Sequence, residues 1–159
     1  MPKEIERKFL VKGNTWRQVD IGILYKQGYI STIKENTVRV RIIENKGYLT
    51  IKGKTEGATR LEYEYEIPVK DAEEILVRFC QKPLIEKKRY QIEFGGHKWE
   101  IDEFQAENKG LVLAEVEIEN ENEEVNLPGW IGKEVTGDVK YYNVNLVKHP
   151  YSKWKKHKD

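Results

Sequence analysis

Glu4, Glu6 and Lys8 recur at every second position within KEIERKFLV, so on a strand they share one face while Ile5, Arg7 and Phe9 share the other. The same alternation returns along the chain. Arg39 and Arg41 lie in VRVRI, Lys52 in LTIKGK, Arg60, Glu62, Glu64 and Glu66 in RLEYEYE, Lys87 and Arg89 in EKKRYQI. Glu100 and Asp102 follow in KWEIDEF, and Glu115, Glu117 and Glu119 in LAEVEIE. The opposite parity carries Val38, Val40, Leu49, Ile51, Ile101 and Val116. The wet side of an ordinary antiparallel sheet would look like this. Two features point further: these faces use few Ser, Thr, Asn or Gln, and like charges sit two apart. Neighbouring carboxylates repel unless a cation lies between them, and paired arginines want an anion.

One arrangement satisfies both needs. Glu4, Glu6, Asp102, Glu115 and Glu117 offer hard oxygen donors for divalent cations such as Mg²⁺ or Mn²⁺. Lys8, Arg39, Arg41, Lys52, Lys87 and Arg89 suit a multiply charged oxyanion, arginine by bidentate contact and lysine as a movable point charge. A cation shared between carboxylates and phosphate oxygens would join the two sets into a polyphosphate or nucleotide site. Charged residues make up 35% of 159 residues, yet the net charge is only +1. That excludes the strongly basic footprint of a nucleic-acid binder. The single cysteine, Cys80, rules out an intrachain disulfide and fits a reducing compartment. MPKEIERKF lacks the apolar stretch of a signal peptide, and no run is long enough to span a membrane. The expectation is a cytoplasmic protein without membrane or nucleic-acid partners.

The elements that must position these residues are mainly strands. Period-two patterns predict strands around Glu4–Val11, Tyr25–Ser31, Val38–Ile42, Leu49–Lys52, Arg60–Pro68, Leu84–Phe94, Trp99–Phe104 and Leu111–Ile118. Tight turns fall at Asn45 to Gly47, with Gly47 supplying a positive φ, and at Gly95-Gly96. KDAEEILVRFC changes period: Asp71 and Glu74 form a capping box, and Ala72, Ile75, Leu76 and Phe79 an apolar stripe. Asp138 can cap a helix through VKYYNVNLVKH that Pro150 stops. Tyr63, Tyr65 and Tyr90 fall on the outer parity as packing groups, Trp99 and Trp130 read as core or cover, and His97 reads as an exposed turn residue. Glu66, Glu100 and Glu119 lie near strand ends, where solvation is the simpler reading. About eight strands can make an open sheet or a closed barrel, and periodicity does not choose between them.

EIERK also matches the ExExK signature of the CYTH superfamily, the triphosphate tunnel metalloenzymes. The resemblance extends through VRVR, LTIKG, EYEYE, KKR, WEIDEF, AEVEIE and the EVTGDVKYYNVNLV segment. It implies a mainly β fold, a closed eight-stranded antiparallel barrel around a charged tunnel. A few flanking helices and a C-terminal helix near one mouth would complete it. Residues 1–150 would form this single domain and residues 151–159 a basic, frayed tail. By the same resemblance Glu4, Glu6, Asp102, Glu115 and Glu117 are metal-binding positions, with Mg²⁺ or Mn²⁺ as cofactor. Lys8, Arg39, Arg41, Lys52, Lys87 and Arg89 face the phosphates. Glu62 and Glu64 are acidic tunnel positions that join Lys8, Lys87 and Asp102 as catalytic candidates. The activity implied is hydrolysis of inorganic tripolyphosphate to diphosphate and phosphate by a homodimer. An adenylate cyclase of the same family or a thiamine or nucleoside triphosphatase is the alternative. A non-catalytic polyphosphate- or nucleotide-binding module, or a plain surface-charged β protein, competes from outside the family's chemistry.

Overall fold

A strand whose two faces differ so sharply needs two different environments, and closing the sheet supplies them. The computed structural model describes residues 3–18 and 20–154. In chain order the strands are β1 (Lys3–Val11), β2 (Ile23–Ser31), β3 (Asn36–Ile43), β4 (Lys46–Gly53), β5 (Thr59–Ile67), β6 (Ile85–Phe94), β7 (His97–Phe104), β8 (Val112–Glu117) and β9 (Ile131–Glu134). Helix α1 (Val69–Arg78) lies between β5 and β6, and the short α2 (Asn143–Lys148) follows β9. The spatial order is β5-β4-β3-β2-β6-β7-β8-β1-β9, and a further β1–β5 pairing closes the first eight into an antiparallel barrel. Strand β1 makes that closure. Glu6–Leu10 pair with β8, Lys3–Ile5 pair with β5, and Phe9 and Val11 pair with β9 along the edge that β5 leaves free.

The eight-stranded barrel expected from the resemblance is therefore present, with one strand added. Strand β9 has four residues, IGKE, and follows Pro128-Gly129. It is too short to show a period of its own.

The outer face of the wall is covered as well. Phe9, Trp16, Tyr90, Ile92, Trp99, Ile101, Ala114 and Val116 form one buried cluster outside β1, β6, β7 and β8, against which Trp130 packs. Burying side chains of the size of Phe9 or Trp99 contributes roughly 1.5–3 kcal/mol each. A second cluster joins Ile85, Phe104 and Leu113 to Tyr141, Leu146 and Val147, fixing the C-terminal segment against one end of the barrel. The third sets Ala72, Leu76 and Cys80 on Val40.

Several local expectations change. Helix α1 starts directly after Pro68 with no side-chain cap, so Asp71 sits inside the first turn and the capping box does not form. Phe79, expected on the apolar stripe, is exposed. Between β3 and β4 the positive φ falls on Glu44, at 55°, and not on Gly47. Gly47 is required for another reason: a Cβ there would lie 2.7 Å from the Cβ of Ala72, where α1 crosses the sheet. Gly95 and Gly96 do take positive φ in the β6–β7 turn. The helix expected after Asp138 is broken into a 3-10 turn, Val139–Tyr141, and α2. Tyr63 and Tyr65 point outward but are exposed, whereas Tyr90 is buried against Trp16. Within the proposed tail, Tyr151–Lys153 form a 3-10 turn and Trp154 packs on Tyr141 and Tyr151. Residues 155–159 lie outside the described residues. Among the described residues no helix is long and apolar enough to cross a membrane.

Candidate active site

Barrel closure fixes which parity points inward, and it is the charged one. A cavity of about 400 Å³ is lined by Glu4, Glu6 and Lys8 from β1, Arg39 and Arg41 from β3, Lys52 from β4, and Glu62 and Glu64 from β5. Lys87 and Arg89 from β6 and Glu115 and Glu117 from β8 complete the ring. Every site residue singled out from sequence lines this cavity except Asp102. That carboxylate is buried on the same inner face, beneath and between Lys87 and Arg89, which cover it.

The β6–β7 part of the wall is saturated with partners. Arg89 donates through Nε and Nη2 to the two oxygens of Asp102, at 2.7 and 2.8 Å, and reaches Glu100 at 3.3 Å. Lys87 Nζ lies 2.8 Å from Asp102 and donates to Asn143 Oδ1 at 3.1 Å. Burial pushes the Lys87 ammonium down to about 8, against the pull of Asp102. Burial acts upward on Asp102, but the charges of Arg89 and Lys87 hold it below its usual range. Opposite, Glu64 gathers Arg39 at 3.4 Å, Arg41 at 3.2 Å and the Thr50 hydroxyl at 2.8 Å. Burial, then repulsion from Arg39 and Arg89, lowers Arg41. The Nε atoms of Arg39 and Arg41 are buried without a hydrogen-bond partner among the described residues. Basic side chains with spare donors facing a cavity form a receptor for an anion with several oxygens.

The β1–β8 part is crowded with acids. Glu6 faces Glu117 and Lys8 faces Glu115 across the ladder, while Glu100 pairs with Glu115 from β7. Burial and then the charges of Glu115 and Glu4 push Glu6 well above the usual carboxylate range, whereas at Glu115 burial is outweighed by Lys8, Arg89 and Lys87, which hold it below that range. Glu4 and Glu62 are hydrogen-bonded to each other. Burial and this bond raise Glu62 to about 7, whereas Lys52, 3.2 Å from Glu4, overrides burial and draws Glu4 down to about 2. Glu117 is raised by burial and by Glu4 and Glu100. Lys8 is buried, yet Glu115 and Glu6 raise it.

These carboxyls approach in pairs, and among the described residues no group of three His, Cys, Asp or Glu is arranged to hold a metal ion. The donor chemistry nevertheless suits one: the oxygens are hard, and a cation among them would offset the repulsion between Glu4, Glu6 and Glu115. Glu4, Glu6, Glu115 and Glu117 fit that requirement. Asp102 differs, because both its oxygens are already taken by Arg89 and Lys87.

Sequence reasoning passed over several cavity residues. Glu100, read as a solvated strand end, lines the cavity and pairs with Arg89. The inner face of β2 carries Tyr25, Gln27 and Tyr29, which have no formal charge and so escaped a search by charge. Their alternation on a strand was the available signal. Asn143 enters from the C-terminal segment, and the backbone carbonyl of Tyr141 accepts from Lys8 Nζ at 3.4 Å. Long-range docking of that kind leaves no local pattern. His97 is half-buried against Glu123 and does not line this cavity.

Known proteins share this arrangement. Residues 2–151 match the model of the CYTH domain. An inorganic triphosphatase from Acetivibrio thermocellus is 56% identical over 155 residues, 98% of this chain and 99% of the relative. One from Nitrosomonas europaea is 34% identical over 149 residues, covering 91% and 96%. A solved inorganic triphosphatase structure superposes with a TM-score of 0.63 at 30% identity, covering 90% of this chain and 96% of the other. With a full-length domain match and curated relatives above 30% identity, the chain belongs to the CYTH domain family.

Proposed function

We infer that this protein is a divalent-metal-dependent inorganic triphosphatase that hydrolyses tripolyphosphate to diphosphate and phosphate. The observation that carries the reading is the cavity itself, where seven cationic side chains, Arg60 among them, and a crowded carboxylate group face one another across a single space. Relatives of nearly equal length and the same name support the substrate.

Arg39, Arg41, Lys52, Lys87, Arg89 and Lys8 bind the phosphate oxygens and hold the chain of phosphates in line for attack by water. Glu4, Glu6, Glu115 and Glu117 hold Mg²⁺ or Mn²⁺, which supplies neutralisation of the charge developing on the phosphate oxygens. Asp102, expected as a metal position, is assigned instead to fixing Arg89 and Lys87, the partners it contacts. Glu64 orients Arg39 and Arg41. Glu62, which a cation bound at the neighbouring Glu4 would free of its proton, accepts a proton from water, and Lys87, with its lowered affinity for a proton, donates one to the departing phosphate. Lys8 serves as an electrostatic anchor. A cytoplasmic location and a homodimer complete the proposal.

Tripolyphosphate, ATP and thiamine triphosphate, each with Mg²⁺, Mn²⁺ or EDTA, test it by ion-exchange separation of the products. Metal-dependent phosphate and diphosphate from tripolyphosphate, far faster than from the organic substrates, is the expected result. Cyclic AMP with diphosphate from ATP would replace the reading with a cyclase. Binding of tripolyphosphate without turnover would reduce the protein to a binding module.

A further inference from the structure

We propose that Tyr25 is a positioning residue whose ring sets the spacing of the two phosphate-binding arginines Arg41 and Arg89; the proposal rests on the triphosphatase reading and refines how its anion site is held. Tyr25 stands on the inner face of β2 and is 8% exposed. Strand β2 is flanked by β3 on one side, where Tyr25 faces Ile43, and by β6 on the other, where it faces Lys87. Arg41 therefore reaches the ring from one neighbouring strand and Arg89 from the other. Their guanidinium carbons lie 5.3 and 4.9 Å from the ring centroid.

Both distances fall within the range of cation–π attraction, in which the negative face of an aromatic ring draws a cation. The two arginines are otherwise held very differently. Arg89 is locked by its bidentate bond to Asp102. Among the described residues Arg41 has a single carboxylate contact, to Glu64 at 3.2 Å, and a buried Nε without a partner. Repulsion from Arg39 and Arg89 works against its position. A neutral ring that attracts both cations offsets this repulsion and keeps the looser arginine at a fixed distance from the rigid one. An aliphatic side chain of similar size would fill the space without attracting either. The ring, and not the hydroxyl, is the working part, since the hydroxyl is not needed for either contact.

Tyr25→Phe keeps the ring; Tyr25→Leu removes it, and Tyr25→Met removes it with an unbranched side chain that fills the gap should the leucine variant fail to fold. Three readouts are taken on each full-length variant: turnover of tripolyphosphate, calorimetric binding of tripolyphosphate in EDTA, and the ring-current shift of the Arg41 and Arg89 side-chain protons by NMR. The expected result is a KM and a Kd raised about tenfold in the leucine and methionine variants, with kcat within about twofold of the parent, and values near the parent in the phenylalanine variant. The ring-current shift persists with phenylalanine and disappears with methionine. A phenylalanine variant as impaired as the methionine one, or a methionine variant with unaltered KM and Kd, overturns the assignment. Should the parent bind tripolyphosphate without hydrolysing it, the triphosphatase reading fails while the Kd comparison still judges Tyr25. Should it bind none, the shifts decide whether the ring holds the two arginines.

Discussion

The two ends of the cavity wall contain similar residues in opposite states. Around β6 and β7 the charges facing the cavity are paired: Asp102 is shared by Arg89 and Lys87, Lys87 also donates to Asn143, and Arg89 to Glu100. Around β1 and β8 acids outnumber bases, and Glu6 with Glu115 and Glu4 with Glu62 press carboxyl against carboxyl. The first region is finished before any ligand arrives. The second is destabilised by its own charge and is completed by a cation. A preorganised anion receptor beside an unfinished cation receptor is what a metal-dependent phosphoryl-transfer site needs, because fixed donors need no reorganisation while a bound metal must be able to enter.

The largest test of this contrast is Glu6→Gln. Metal-dependent turnover should fall about 10³-fold, the scale of losing a principal electrostatic contact to the reacting phosphates. Metal-free thermal stability should stay level or rise, since the change removes a carboxyl that its neighbours resist ionising. A variant that keeps full activity would take Glu6 out of the metal group. Asp102→Ala should do the reverse. It strands two buried cations, and breaking a buried pair costs about 3 kcal/mol, readable by chemical denaturation. Metal affinity, measured by calorimetry on Asp102→Asn, should remain close to that of the parent. If it drops as far as in Glu6→Gln, Asp102 belongs with the metal carboxylates and the two regions are one.

Cation binding should also release protons, at the acidic end alone. Glu6 and Glu62 have folded pKa values raised above the ordinary one, Glu62 to about 7, so a cation binding among them competes with protons. Apparent Mg²⁺ affinity should therefore rise with pH through neutrality and weaken by up to about tenfold per pH unit below it for each proton displaced. Calorimetry in buffers of different ionisation enthalpy counts the protons. No release at pH 6 would mean that the carboxyls are already ionised and that the contrast between the two regions is one of geometry alone.

Much of the site was legible because the barrel interior is charged, which is costly and therefore rare. Like charges two apart on Arg39 and Arg41, or on Glu115 and Glu117, need a reason that a solvated sheet does not provide. Closure itself was not legible from period two. It depends on β1 offering its first residues to β5 and its last to β9, a division of one edge that no local pattern records. The state of Asp102 was hidden too: its parity placed it on the inner face, but only the register opposite Arg89 shows that its oxygens are taken. Tyr25 and Asn143 carry no charge, so their part in the site emerges only from what they touch.

The smallest effect belongs to the other face of β1, one residue from Glu6. Arg7 binds Glu134 of β9 through two bonds, at 2.9 and 2.7 Å, and Thr136 adds a third to the same carboxylate. The bond from Arg7 holds Glu134 below its ordinary 4.5, although a quarter of Arg7 and more than a third of Glu134 remain open to solvent. Such a pair is worth about 0.5–1 kcal/mol once solvent screening is allowed for. A carboxylate whose folded pKa is depressed contributes stability above its unfolded pKa and loses it as pH falls through the folded one. The stability gap between the parent and Arg7→Met should thus be present at pH 7 and close on acidification below about 4.5. It should also narrow in high salt, as an exposed pair is screened and the buried cluster around Asp102 is not. Denaturant titrations across pH measure it. A gap that persists at pH 3 would assign the role of Arg7 to its packing over the Phe9 ring, 5.1 Å away, and leave β9 held by its ladder alone.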